Sequence, residues 1–157
     1  GNHKVTVKVG PVSIPDSLDQ SQIVTRSGSN RLILDEFNRW GGDIQDDVLR
    51  ILGENISILL PTDQITLYHD ITLSPIDFQV VVNIREFDGE LGGLVTLNAD
   101  WRVVHNLGKE KIVLARKSVL HESTAASGYD AYVAAQSRLL TNLSKEIVSV
   151  IKSQLSQ

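Results

Sequence analysis

The sequence predicts an α/β fold with a mixed, largely antiparallel sheet, flanking helices and a long helix at the end. Three observations predict it. Apolar and polar residues alternate in several short runs, apolar residues recur at helical spacing in two longer segments, and glycine-containing turns separate the last alternating runs. The 157 residues suffice for one hydrophobic core, so we expect a single domain over residues 1–157.

The first strand is predicted by the alternation of Val5, Val7 and Val9 with polar residues. Pro11 and Pro15 interrupt this alternation, because proline cannot donate a hydrogen bond to a strand ladder. We therefore expect the strand to stop there, and the residues between the two prolines to form an extended edge or a linker.

A β-hairpin is predicted next. Residues 23–26 and 31–34 are β-prone runs, and the segment 27–30 between them is rich in Gly, Ser and Asn. These residue types adopt turn conformations at little cost, so the two runs should pair as neighbours.

The first helix is predicted to begin after Asp43, an N-cap residue, and to end before Pro61. Gly53 in its interior indicates close packing against a sheet, because glycine costs a helix up to about 1 kcal/mol. A short strand is expected at 65–68. The apolar stripe of this helix consists of Ile44, Val48, Ile51, Leu52, Ile56 and Leu59.

Three long strands are predicted between residues 78 and 122, with turns at 88–90 and 107–109. Consecutive strands with tight turns form an antiparallel meander. Trp101 is expected in the core. The apolar face of the first two meander strands consists of Phe78, Val80, Val82, Ile84, Leu97, Ala99, Trp101 and Val103.

The closing helix is predicted to begin after Gly128, with Ser127 as its N-cap, and to run for roughly 25 residues. Two arrangements of the helices are open. On opposite faces of the sheet they would give three layers; on one face they would leave the other face exposed to solvent or available for assembly. The stripe consists of Tyr132, Ala135, Leu139, Leu143, Ile147, Val150 and Ile151.

Composition excludes several functional classes. The 15 basic and 19 acidic residues give a net charge of −4 without a long basic run, which argues against a nucleic-acid partner. The absence of cysteine excludes disulfides, thiolate zinc sites and cysteine nucleophiles from this sequence. No stretch approaches about 18 uninterrupted apolar residues, so we expect no membrane-spanning segment in it.

No catalytic, cofactor-binding or metal-binding residue is predicted. The four histidines, His3, His69, His105 and His121, have no partner at a metal-ligand or catalytic spacing, and we expect surface positions for them. The Gly pairs do not extend into a phosphate-binding motif, and no nucleophile elbow is present. We therefore expect a protein that is not an enzyme and needs no cofactor.

The segment 18–40 resembles the signature of the PqiC-type auxiliary lipoproteins of ABC transport systems. The residues that carry this resemblance are Gln-Ile-Val-Thr-Arg-Ser at 22–27, Asn-Arg-Leu at 30–32 and Glu-Phe-Asn-Arg-Trp at 36–40. Glu-Phe-Asp-Gly at 86–89 and Tyr-Asp at 129–130 match less specifically.

The resemblance implies a lipoprotein tethered to the periplasmic face of the outer membrane. Such a protein docks on an MCE-domain or related substrate-binding component and helps move lipids or other hydrophobic compounds, while the ATPase and permease are other polypeptides. It also implies a fold like the amino-terminal domain of TolB. A signal peptide and a lipidated cysteine would precede the Gly-Asn-His-Lys with which the sequence opens. The long last helix and an uncovered sheet region would also suit self-assembly into a ring.

Five residues of the signature segment are the candidate partner interface: Arg26, Asn30, Arg31, Arg39 and Trp40. The arginines could instead form intrachain salt bridges with neighbouring carboxylates, and Trp40 could belong to the core. The alternative function is a lipid- or small-ligand-binding module that contacts the cargo directly. That alternative predicts an apolar pocket of at least about 300 Å³ between sheet and helix.

Overall fold

The computed structural model of the chain describes residues 5–19, 22–27, 32–39, 43–72 and 75–156, and for residues 22 and 32–39 the backbone alone. These residues form strands β1 (Val7–Ser13), β2 (Gln22–Arg26), β3 (Leu32–Arg39), β4 (Ile65–Leu67), β5 (Phe78–Gly89), β6 (Leu94–Leu107) and β7 (Glu110–Ser123). The helices are α1 (Ile44–Leu59), between β3 and β4, and α2 (Tyr129–Leu155), after β7.

Five strands form one mixed sheet in the order β4-β1-β5-β6-β7. Strand β1 pairs in parallel with β4 and with β5, whereas β5, β6 and β7 form an antiparallel meander. Strands β2 and β3 pair as a separate antiparallel hairpin. The predicted α/β class, the meander and the hairpin are confirmed.

Strand β1 is longer than the sequence predicts. It continues through Pro11 to Ser13, and it lies between β4 and β5 in the sheet interior instead of forming an edge or a linker. The register with β5 shifts between Val9 and Val12, so the ladder has an irregularity at the position of Pro11 and continues beyond it. Gly10 has φ +113°, and a Cβ there would lie 2.6 Å from Cβ of Tyr68. Glycine is required at this position.

The first meander turn also differs from the prediction. Strand β5 includes Asp88 and Gly89, and the chain reverses after them, where Gly93 N–H donates to the carbonyl of Glu90 at 3.0 Å. The second turn, at Gly108 and Lys109, lies where the sequence predicts it.

Helix α1 has the predicted cap and the predicted close approach. The Asp43 carboxylate accepts the backbone N–H of Gln45 at 2.8 Å and that of Asp46 at 3.3 Å. Gly53 faces β4, where a Cβ would lie 2.7 Å from Cδ2 of Leu67. The absence of a side chain at Gly53 therefore sets the distance between helix and sheet.

Helix α2 begins one residue later than the predicted cap implies. Its N-cap is Gly128, which offers no side-chain hydrogen bond, so the assignment of Ser127 is wrong. The helix is 27 residues long. Neither described helix is long and apolar enough to cross a membrane.

Both helices cover the same face of the five-stranded sheet. Helix α1 lies over β1 and β4, α2 lies over β5, β6 and β7, and the two helices contact each other, as in the 3.2 Å hydrogen bond from Asn55 Nδ2 to Ser144 Oγ. The sheet and the two helices thus form two layers, and the described sheet has one covered face and one open face. We call the second the open face.

The core fills the space between the helices and the covered face. A polar chain leads from the core to the surface, because Trp101 Nε1 donates to the buried Ser118 Oγ at 2.8 Å and Ser118 donates to the exposed Glu146 on α2 at 3.2 Å. Trp101 therefore lies in the core, as predicted. Fully buried apolar residues include Val7, Val9, Leu52, Ile56, Phe78, Val80, Val82, Leu97, Val103, Leu139, Leu143 and Ile147.

Candidate partner-docking surface

The β2–β3 hairpin, which carries most of the signature segment, is packed against the body of the protein. Ile23, Val24 and Thr25 are consecutive in β2 and all three are buried. Successive strand residues point to opposite faces, so both faces of β2 are covered. The hairpin is therefore held in place and does not project as a free arm.

An ion pair joins the end of this hairpin to the end of β5. Arg26 Nε donates to Oδ1 of Asp88, and Arg26 Nη2 donates to Oδ2 at 3.3 Å. The Asp88 side chain is 3% exposed, while that of Arg26 is 27% exposed. A buried carboxylate needs such a partner, and the two-point geometry fixes the orientation of the guanidinium.

Tyr132 of α2 completes the same junction. Its hydroxyl donates to the carbonyl of Val24 on β2 at 2.8 Å and accepts the N–H of Gly89 on β5 at 3.0 Å. The side chain is fully buried. One tyrosine thus joins the hairpin, the main sheet and the long helix. We call Arg26, Asp88 and Tyr132 the anchor cluster.

The surroundings in the anchor cluster favour the protonated forms of Arg26 and Tyr132. The hydrogen bond to Asp88 raises the pKa of Arg26 above its ordinary value. Burial, with the Asp88 charge as a second cause, raises the pKa of Tyr132 well above its ordinary value. Arg26 therefore remains charged and Tyr132 remains a neutral hydrogen-bonding group at physiological pH.

The structure places the predicted interface residues only in part. Arg26 lies in the anchor cluster, where it forms an intrachain ion pair with Asp88, a carboxylate that is distant in the sequence. Arg39 is the last residue of β3, and its side chain lies outside the described part of the structure. Asn30, Arg31 and Trp40 are themselves outside the described residues.

The sequence pattern does not indicate that Asp88 or Tyr132 belongs to a site. It predicts a turn at Asp88 and places Tyr132 in the apolar stripe of the last helix. The pairing of Arg26 with Asp88 spans 62 positions of the chain, so no local pattern could have revealed it. A tyrosine in an otherwise aliphatic stripe was the available signal, because a buried hydroxyl needs a partner.

The open face of the sheet forms a broad polar surface. A shallow groove of about 510 Å³ crosses β5, β6 and β7 there, and its lining includes Asn83, Arg85, Asp100, Arg102 and Lys117. Arg85 is paired with Asp100. Arg102 and Lys117 are exposed and have no ion-pair partner among the described residues. Such a groove can bind carboxylate or phosphate groups through charge and hydrogen bonds.

Two of the histidines, His105 and His121, make contacts within the fold. His105 is half-buried, stacks on Phe78 with ring centroids 4.3 Å apart, and shares a hydrogen bond with Gln154 at 3.2 Å. His121 is exposed and shares a hydrogen bond with Thr96 at 2.8 Å. The described part of the chain contains no group of three His, Asp or Glu side chains that could hold a metal ion.

Comparison with known proteins identifies a family and a shared fold. A family model described as "ABC-type transport auxiliary lipoprotein component" matches residues 1–148. No curated relative matches the chain.

Two solved structures share the fold over nearly all of the chain. One, described as an uncharacterized protein, has a TM-score of 0.81 at 20% identity and covers 94% of this chain and 92% of its own. The other, a protein from Xanthomonas campestris assigned to the family DUF330, has a TM-score of 0.70 at 16% identity and covers 97% and 87%. At these identities the likeness establishes the fold alone.

Proposed function

Because this chain belongs to the family of ABC-type transport auxiliary lipoprotein components, we propose that it is a non-catalytic subunit of an intermembrane transport system. In this proposal it is a periplasmic lipoprotein anchored to the outer membrane, and it acts as an adaptor for an MCE-domain or related substrate-binding component. The cargo would be lipids or other hydrophobic compounds.

The observation that best supports an adaptor is the two-layer architecture with one open face. The covered face and the helices enclose a core filled by aliphatic and aromatic side chains, whereas the open face is broad and lined with polar and charged groups. A broad polar surface that is backed by a packed core suits contact with another protein, because non-obligate interfaces are about as polar as the rest of a protein surface. Bound cargo would instead need a concave apolar site.

The signature segment supplies a second region for that contact. We propose Asn30, Arg31, Arg39 and Trp40 as partner-facing residues, and we assign Arg26 the supporting role of holding the hairpin in place. Arginine and tryptophan are enriched among the residues that dominate binding energy at interfaces. The anchor cluster holds the neighbouring strand β2 against the main sheet, and preorganisation of an interface lowers the entropic cost of binding.

The test is co-purification from cells that express the full-length lipoprotein together with the MCE-domain protein of the same organism. We expect the two proteins to co-purify from detergent extracts, and the lipoprotein to fractionate with the outer membrane. Arg39→Ala and Trp40→Ala should each weaken the association while the melting temperature stays within about 2 °C. Arg50→Ala on the exposed side of α1 is the matched control. Absence of any association between the wild-type proteins would contradict the proposal.

A second candidate function rests on one further groove. Leu59 of α1 and Val148 of α2 form an apolar floor beside Lys145 and Lys152, with a volume of about 380 Å³. This groove lies on the outer side of the helix pair, not between helix and sheet as the cargo-binding alternative predicts. Phospholipid that co-purifies with the wild type and is lost in Lys145→Glu/Lys152→Glu would favour direct cargo binding. Lipid-free protein that still binds its partner would favour the adaptor.

A further inference from the structure

Strand β7 is a long, exposed edge of the main sheet. It is 14 residues long, and among the described residues β6 is its only neighbouring strand. The opposite edge, β4, has only 3 residues. An unpaired edge presents a row of backbone N–H and C=O groups that another strand can bind. The two edges of this sheet therefore differ sharply in what they can accept.

The register identifies which residues of β7 present those groups. Thr124 N–H donates to the carbonyl of Gly93 at 3.0 Å, and the β6–β7 register continues without a shift from Leu94↔Ser123 to Leu107↔Glu110. Hydrogen-bonded and non-hydrogen-bonded pairs alternate in an antiparallel ladder, so the even-numbered residues of β7 bond to β6. The residues whose N–H and C=O point away from the sheet are Lys111, Val113, Ala115, Lys117, Val119 and His121.

All six of these side chains are exposed, which leaves the edge accessible. Val113 is 57% exposed and Val119 is 49% exposed, values that are high for β-branched residues in a strand. These side chains lie on the open face, next to the groove that Ala115 and Lys117 line. An added strand would thus extend the open face and contact the groove at the same time.

The edge carries positive charge in a protein that is negative overall. Lys111, Arg116 and Lys117 lie within β7, and Arg102 reaches the same groove from β6. The acidic residues Glu110 and Glu122 lie only near the ends of β7, and Glu122 is paired with Arg138 of α2. The net charge of the whole chain is −4, so the cationic character is local to this edge.

We infer that the β7 edge binds an extended, acidic segment of a partner protein, which adds to the sheet as a sixth strand. The backbone groups of the six outward-facing residues supply the ladder, and Lys117 and Arg102 pair with carboxylates that recur at every second position of the segment. This inference deepens the proposed function, on which it rests for the identity of the partner as a component of the transport system.

A second copy of this chain is a poorer occupant of the same edge. Two β7 edges that pair over their full length about a two-fold axis bring Arg116 opposite Arg116, or Lys117 opposite Lys117. Like charges directly opposite each other destabilise a strand pair. The same cations that repel an identical edge attract an acidic one, which gives the edge its selectivity.

The test uses a labelled peptide of alternating glutamate and threonine, about 12 residues long to match β7, with a lysine-for-glutamate peptide as its control. We expect the acidic peptide to bind, its affinity to fall with added salt, and the lysine peptide not to bind. In the complex, the amide protons of Val113, Lys117 and Val119 should become protected from hydrogen exchange. Those of the even-numbered residues are already protected in the free protein.

Two variants separate the backbone from the charge. Val119→Pro removes an outward N–H without breaking a bond to β6, and Arg102→Glu/Lys117→Glu reverses the groove charge. Each should weaken peptide binding at least about tenfold. Arg50→Glu, on the exposed side of α1 and outside the groove, is the control for charge reversal and should leave binding unchanged. If Val119→Pro fails to fold, the charge variant and the exchange pattern still decide the outcome.

Three results would overturn the inference. The first is a failure of the acidic peptide to bind, and the second is binding by Val119→Pro that is as tight as binding by the wild type. The third is binding of phosphatidylglycerol vesicles in place of the peptide, with a dependence on charge but not on Val119. The last result would make this a membrane-facing surface. If Val119→Pro still co-purifies with the MCE-domain protein, the edge assignment fails while the proposed function stands. If the wild type does not co-purify, the proposed function fails and the peptide data decide the edge separately.

Discussion

The Arg26 guanidinium of β2 is paired at two points with the Asp88 carboxylate of β5, which is 3% exposed. This pair is the polar link between the hairpin and the main sheet, and the Tyr132 hydroxyl adds two hydrogen bonds to the same junction. The position of β2 thus depends on these polar contacts as well as on its buried side chains, and each polar contact can be removed by one substitution.

Arg26→Ala should destabilise the protein by about 1.5–3 kcal/mol, because it leaves a buried carboxylate without its charged hydrogen-bond donor. Urea unfolding followed by circular dichroism measures the change. Asp88→Asn in the Arg26→Ala background should recover part of the loss, since it removes the buried charge. An unchanged unfolding free energy together with weaker partner binding would mean that Arg26 serves the partner and not the fold.

Tyr132→Phe should cost about 1–3 kcal/mol, because it leaves the N–H of Gly89 and the carbonyl of Val24 without their partner in a buried site. Hydrogen exchange provides the specific readout, since protection of the Gly89 amide should fall more than that of amides in β6. Tyr68→Phe, at a partly exposed tyrosine next to β4, controls for general effects of removing a hydroxyl. Equal loss of protection across the whole sheet would contradict a local role at the hairpin junction.

Alkaline pH should weaken the fold through Tyr132. Its pKa is raised in the folded protein, so above about pH 10 the unfolded chain loses this proton while the folded chain retains it. The unfolded state then binds fewer protons, and the free energy of unfolding falls by about 1.4 kcal/mol per pH unit from this group. Below about pH 10, the contribution of Tyr132 to the free energy of unfolding does not change with pH. The unfolding free energies of the wild type and of Tyr132→Phe, measured with urea, should therefore differ less at about pH 11 than at about pH 8. Parallel pH profiles would contradict this assignment.

Gly53 should tolerate alanine but not a large side chain. A Cβ would meet the flexible end of Leu67, which can rotate away, and the gain in helix propensity of about 1 kcal/mol offsets that shift. Gly53→Leu should instead cost about 1–3 kcal/mol by forcing α1 from β4. Thermal unfolding measures both. Leu67→Ala should reduce the penalty of Gly53→Leu, and the lack of such coupling would mean that another contact sets the helix–sheet distance.

The sequence predicts the local elements well because their signals are local. The alternation from Phe78 to Val103 identifies the buried face of the meander, and Gly108 marks its second turn. The face of the sheet against which each helix packs cannot be predicted in this way. An apolar stripe shows that a helix has a partner but not where that partner lies. The placement of both helices on one face therefore required the structure.

Two of the remaining errors have a common physical origin in contacts distant along the chain. Pro11 interrupts an isolated strand pattern, yet β1 continues past it because β5 supplies a parallel neighbour. Asp88 and Gly89 have turn chemistry, yet they belong to a strand whose end is fixed by Arg26 and Tyr132. In each case a tertiary contact outweighs a local preference. The candidate interface is predicted from a resemblance, and the resemblance does not indicate which residue Arg26 pairs with.

The central position of β1 has a consequence for the order in which the protein folds. Val7 of β1 pairs with Ile65 and Phe78, so β1 leaves the ribosome well before its two neighbours are synthesised. Contacts between distant residues must overcome a loop-closure cost before they stabilise the chain, whereas the meander is built from adjacent strands. We therefore expect β5, β6 and β7 to form first and β1 to insert late, so that the newly made chain exposes an apolar strand until most of the domain exists. A chaperone that holds extended apolar segments would act on β1 during this interval.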